Sequence, residues 1–143
     1  MTPIPMVDRS THHYGILAVN VHGEFGMQIL IPAGSELPCR EEVTCLTVVD
    51  NMVTIRFQVY ESIPEKPQWF ASRMEAEETL EQMCQLDLEL PPNLPKHTPV
   101  TMRMELSAAP QPGCGILNVT VLCGNEIQTS ILLENRVVCE RAR

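Results

Sequence analysis

The sequence predicts an all-β fold, an antiparallel eight-stranded β-sandwich with a short helical insertion. Three observations carry this. Apolar and polar residues alternate with period two in several windows, the pattern of a strand with one buried face. Twelve prolines fall largely between those windows, which suits short-looped strands rather than a helical bundle. One stretch alone replaces the alternation with a run of helix formers. At 143 residues and 44% hydrophobic, the chain is one ordinary domain with material for its own core.

The elements follow in order. Tyr14–Val21, Phe25–Ile31 and Val43–Val49 are rich in β-formers, although their alternation is not clean. Ile55-Arg56-Phe57-Gln58-Val59 alternates strictly. Ala71–Met83 is the helical exception. Ser72 is its N-cap with Glu75 three residues on, and Ala76, Leu80 and Met83 form a narrow apolar stripe. Trp69 and Phe70 precede it, beside the proline-rich Ile63–Pro67. They either staple the insertion onto the sandwich or, if exposed, mark a partner surface. Cys84–Leu90 and Val100–Leu106 alternate strictly again. Ile116–Cys123 and Ile127–Leu133 flank Gly124-Asn125-Glu126, a hairpin signal. Residues 10–135 form the domain; 1–9 and 136–143 are expected to be loose.

Composition narrows the function classes. A net charge of −8 argues against nucleic acid and anionic membranes as partners, and 4% aromatics leave little for a base-stacking platform. No apolar run is long enough to span a bilayer. The N-terminus lacks a signal-peptide pattern, and several of the six cysteines sit at apolar strand positions. Both point to the cytoplasm.

No constellation supports an enzyme, a metal or a cofactor. His12 and His13 are strand neighbours that point to opposite faces, and no Cys-x-x-Cys occurs. Cys114, between Gly113 and Gly115, is the best candidate for an exposed thiol, without a base to activate it. The acidic Glu75, Glu77, Glu78 and Glu81 read as the solvated face of the helix, with a basic partner as the alternative.

Several short words are spread in order along the chain: Tyr14-Gly15-Ile16, Leu30-Ile31-Pro32, Leu37-Pro38, Asp50-Asn51, Gln58-Val59-Tyr60-Glu61 and Gly115-Ile116-Leu117-Asn118-Val119. Together they resemble the peptide-binding β-sandwich of the 70-kDa heat-shock chaperone family, from about Asp8 to Asn135. The resemblance implies a chaperone of the stress response that binds unfolded protein. Its substrate-binding domain holds extended apolar peptides through backbone hydrogen bonds and one pocket for a Leu-like side chain. Carried over by position, that pocket is lined by Ile16, Cys45, Ile55, Phe57 and Ile116. Val19 and Val48 arch over the peptide, and Leu46 and Thr47 offer it backbone groups.

The departures matter equally. Cys45 stands where the family usually has a bulky aromatic, Phe57 replaces a smaller aliphatic, and Ala33 replaces a basic residue. The first loop, Val19–Gly26, is longer, and Glu61–Leu86 carries the insertion. The family's ATPase domain and helical lid have no counterpart in these residues, so the sequence reads either as a fragment of a longer chain with an ATPase domain or as a stand-alone domain. Two readings stay open for the five pocket residues: a peptide groove, or plain sandwich core. A second function also stays open, a protein–protein interaction sandwich that has lost the groove and docks a folded partner or dimerises.

Overall fold

Alternation along the strands becomes two sheets that bury their apolar faces against each other. The computed structural model of the chain describes residues 7–109, 114–123 and 126–142, with backbone alone for 7–8 and 126–142. One sheet contains β1 (Val7–Ser10), β10 (Glu126–Ala142), β9 (Cys114–Cys123), β8 (Pro99–Ala108) and β4 (Cys39–Leu46), in that spatial order. The other contains β6 (Trp69–Phe70), β3 (Phe25–Ile31), β2 (His13–Val19), β5 (Thr54–Ser62) and β7 (Glu81–Glu89). All pairings are antiparallel. The all-β antiparallel sandwich with one helical insertion is thus the observed architecture, with ten strands among the described residues rather than the expected eight, the additions being β1 and the two-residue β6.

The main core lies between the sheets. Val100, Met102, Met104 and Leu106 of β8 and Leu117, Val119 and Val121 of β9 are fully buried. They meet Ile16, Phe57, Val59, Leu86 and Leu88 of the other sheet. Each such side chain contributes about 1.5–3 kcal/mol by leaving water.

A second cluster explains why β2 and β3 alternate poorly. The outer face of their sheet is also covered, by α1 (Arg73–Thr79), through Met27, Tyr60, Ala76 and Leu80 with Phe25 and Phe70 at their margin. Ser72 caps α1, its Oγ accepting from the Glu75 amide at 3.2 Å. The helix is shorter than the sequence suggests. It ends at Leu80, and Met83 lies in β7, where it packs on the main core rather than continuing the helical stripe. Pairing of Glu81 and Gln82 with β5 overrides the helix propensity of those residues.

The chain ends also differ from expectation. Val7–Ser10 pairs with Cys139–Ala142, so both terminal segments join the first sheet. Main-chain donors and acceptors find partners in this way without an apolar pattern to announce it. Cys123 pairs with Glu126 in the expected hairpin, whose two connecting residues, 124 and 125, lie outside the described residues.

Topology sorts the connections. The β2–β3, β4–β5, β7–β8 and β9–β10 loops lie at one end of the sandwich. The β3–β4 loop lies at the other, where the helical insertion also leaves β5 and enters β7; between those junctions the insertion runs back along the outer face of its sheet and pairs β6 with Phe25 and Gly26 beside the β2–β3 loop. No helix among the described residues is long and apolar enough to cross a membrane.

Candidate functional site

Exposed apolar side chains single out one region. Among the described residues, Val19, Val21, Leu46, Val48, Val49, Val53 and Met74 are the exposed large hydrophobics, and all but Met74 belong to the end that carries the β2–β3 and β4–β5 loops. Apolar side chains gathered in this way are the ones that burial against a partner would remove from water.

Local hydrogen bonds hold both loops. In the β2–β3 loop, Asn20 Oδ1 accepts from the amides of His22 and Glu24, and Gly23 adopts φ +75° to close the turn. In the β4–β5 loop, Thr47 is the hub. Its amide donates to Thr98 O, its carbonyl accepts from the His97 amide, and its hydroxyl donates to Pro95 O. Asp50 Oδ1 accepts from the Lys96 amide at 2.7 Å, and the Asn51 amide donates to Leu94 O at 2.8 Å. The valines are therefore presented on loops tied down before any partner arrives, which lowers the ordering cost of binding.

Beside the rim the second sheet splits. β2 pairs with β5 only from His13↔Ser62 to Ile16↔Val59. Beyond that point β2 continues with β3 through Val19, and β5 continues with β7 through Thr54. The two strands diverge, leaving a cleft of about 570 Å3 between Leu17, Ala18 and Val19 on one side and Thr54, Ile55, Arg56 and Gln58 on the other. Its outer margin is charged. Arg56 Nε donates to Asp87 Oδ1 at 2.7 Å, and Arg73 of α1 donates to Gln58 Oε1 and Glu77 Oε1. Hydrogen bonds from Arg56 and then Gln85 hold the Asp87 carboxyl below the usual carboxylate range.

The structure separates the expected pocket residues. Ile16 and Phe57 are buried in the main core, and Cys45 and Ile55 pack half-buried against it. Of these, Ile55 lines the cleft. Ile116 does not join them. Its neighbours Leu117 and Gly115 are buried, and strand parity turns Ile116 to the outer face of the first sheet, beside Arg40, Glu105, Ser107 and Asn118. The five therefore do not line one pocket. Val19 and Val48 stand on the exposed rim.

Leu46 and Thr47 part company in the same way. Thr47 is 1% exposed and both its backbone groups are engaged, so it has none to offer a peptide. Because Thr47 donates to Thr98, the adjacent pair Leu46↔Pro99 is one whose backbone groups point away from each other. Leu46 thus directs its N–H and C=O to the outer edge of β4. Trp69 and Phe70 are half-buried; they form β6 against Phe25 and Gly26, and Phe70 packs on the second cluster. They staple the insertion to the sandwich.

Three of the described thiols are poor nucleophiles. Burial pushes Cys45, Cys84 and Cys39 up, the last with help from Glu41. Cys114 is half-buried at the start of β9.

Two features escape sequence reasoning. One is the charged cleft margin, since Arg73 reaches it only through the insertion. The other lies at the opposite end, where Tyr14 Oη donates to buried Glu61 Oε2 at 2.9 Å and His12 Nε2 lies 3.9 Å from Glu61 Oε1. Both Tyr14 and Glu61 fall in the short words that carry the family resemblance, which is the available signal. No protein-family model matches the sequence, and no curated protein matches it.

Proposed function

We propose that this domain binds extended apolar polypeptide segments, without catalysis, at the loop end of the sandwich. The observation that carries this reading is the exposed valine rim on pinned loops, next to a split sheet and the open edge at Leu46. An extended peptide brings apolar side chains and unpaired backbone groups together, and such a region has partners for both. The ordered words resembling the 70-kDa heat-shock chaperones favour the same function, that of a substrate-binding domain for unfolded protein. The free core thiols fit a cytoplasmic setting. In a longer chain an ATPase domain would govern release; alone, the site works passively, with modest affinity set by unobstructed dissociation.

The test is fluorescence anisotropy with a labelled Asn-Arg-Leu-Leu-Leu-Thr-Gly peptide, a charged control peptide and a Val48→Asp variant. Val48 is 66% exposed, so the variant should fold. Saturable binding to the native domain, absent for the control and lost in the variant, is the expected result. No binding at high protein concentration overturns the reading.

One observation favours a second reading. Ile16 and Phe57 are consumed by the core and Thr47 has no backbone group to spare, as in a sandwich that docks a folded partner or a second copy through the rim. Sedimentation would then show dimers that Val48→Asp dissolves, with no peptide binding.

A further inference from the structure

We infer that the split between β2 and β5 receives a short extended segment as an inserted strand, and that it selects segments in which apolar residues alternate with acidic ones. This rests on the peptide-binding reading and adds to it a place and a chemical preference.

The place follows from the ladder. Leu17–Val19 and Thr54–Gln58 have strand geometry, yet their mutual pairing stops at Ile16↔Val59. Backbone groups that would have completed the ladder face the cleft instead. The three residues of β2 past the last pair span roughly 10 Å. A cleft of about 570 Å3 is within the range that proteins use for ligands. An inserted strand would pair with both margins and close the sheet.

The preference follows from the two sides of that strand. Successive side chains of an extended segment point to opposite faces. On the inner side the cleft offers Ala18, Ile55 and Met52; on the outer side it offers Arg56 and Arg73, with Asp87, Leu17 and Phe25 beside them. Both arginines are positioned by partners but not exhausted by them. Arg56 uses Nε on Asp87, and Arg73 uses Nε on Glu77 and one Nη on Gln58. A guanidinium has five N–H donors, so each retains some for a carboxylate. The chain carries −8 overall, but charges more than about 8 Å away are largely screened at physiological salt. At the cleft Asp87 and Glu77 offset the formal charge of Arg56 and Arg73, so the preference rests on the guanidinium donors left over, which a carboxylate can accept from and an ammonium cannot.

The experiment compares labelled Asp-Leu-Asp-Leu-Asp and Lys-Leu-Lys-Leu-Lys peptides, with Asn-Arg-Leu-Leu-Leu-Thr-Gly beside them, on the native domain and on an R56Q/R73Q variant. Both arginines are about half exposed, so the variant should fold. The acidic peptide should bind at least about fivefold tighter than the basic one, and the variant should erase that difference. On binding, amide exchange should slow at Leu17–Val19 and Thr54–Phe57. Equal affinity for the two peptides, a preference that survives in the variant, or protection confined to other strands overturns the inference. In each of those cases binding of Asn-Arg-Leu-Leu-Leu-Thr-Gly leaves the broader peptide-binding function standing. Failure of every peptide to bind overturns both.

Discussion

Single residues at the end away from the rim carry a polar arrangement inside an apolar sandwich. Glu61 is 8% exposed and accepts from Tyr14 Oη, so its carboxylate depends on that hydroxyl. Tyr14→Phe should destabilise the fold by about 1–3 kcal/mol, measurable by urea denaturation, because it removes a donor from a buried acceptor. His13 gives a pH dependence. Its Nδ1 accepts from the Ala33 amide at 2.9 Å, and burial, outweighing the opposing Glu65, lowers its pKa below the ordinary 6.5. The unfolded chain therefore takes up this proton first as pH falls. The stabilising contribution is complete above pH 6.5 and is lost as pH drops through the lower folded value. Thermal melts of the native protein and His13→Gln should diverge as pH is lowered from about 7.5 to 5.5, the variant falling less. At this scale the sequence was a partial guide. The resemblance assigns Val19 and Val48 to an arch over a peptide and Leu46 and Thr47 to backbone contacts; the structure exposes the first three at the loop end, whereas the engagement of Thr47 depends on residues 95–98, some fifty positions away. Ile116 is placed in the pocket by the family resemblance alone; the strand's own alternation puts it on one face with Asn118 and Thr120, while Leu117, Val119 and Val121 turn inward.

At the scale of elements, legibility follows how local the cause is. The Ser72 cap lies within three residues of its partner, and the sequence names it directly. Ser72→Ala should cost about 1 kcal/mol. The loss should appear as faster amide exchange in α1 and increased solvent access at Tyr60 and Met27, which α1 covers, while the main core stays protected. The strict alternation of β5, β7 and β8 is equally local. The split between β2 and β5 is not, since Leu17–Val19 and Thr54–Gln58 read as ordinary strand and only the divergent pairing with β3 and β7 parts them. Gly15 shows the same limit. It lies at a bulge between β2 and β3, and an added Cβ would run into the backbone carbonyl of Gln28, a constraint invisible in the word Tyr14-Gly15-Ile16.

Across the whole molecule, apolar surface is divided between two tasks. One set, including Leu117, Val119 and Met104, is fully buried and stabilises the sandwich. The other, including Val48 and Val53, is more than half exposed at one end and contributes little to folding. The two sets should respond to mutation in opposite ways. Leu117→Ala leaves a cavity at a fully buried site and should cost about 2–5 kcal/mol, with a matching fall in Tm. Val48→Asp with Val53→Asp removes apolar side chains that already face water, so stability should stay within about 0.5 kcal/mol of the native domain. The same pair of substitutions should weaken binding of an apolar dye such as anilinonaphthalene sulfonate, because the rim is where unsatisfied apolar surface is concentrated. A large loss of stability from the rim pair would mean that these valines belong to the core. An unchanged dye signal would mean that the apolar surface presented to partners lies elsewhere on the sandwich.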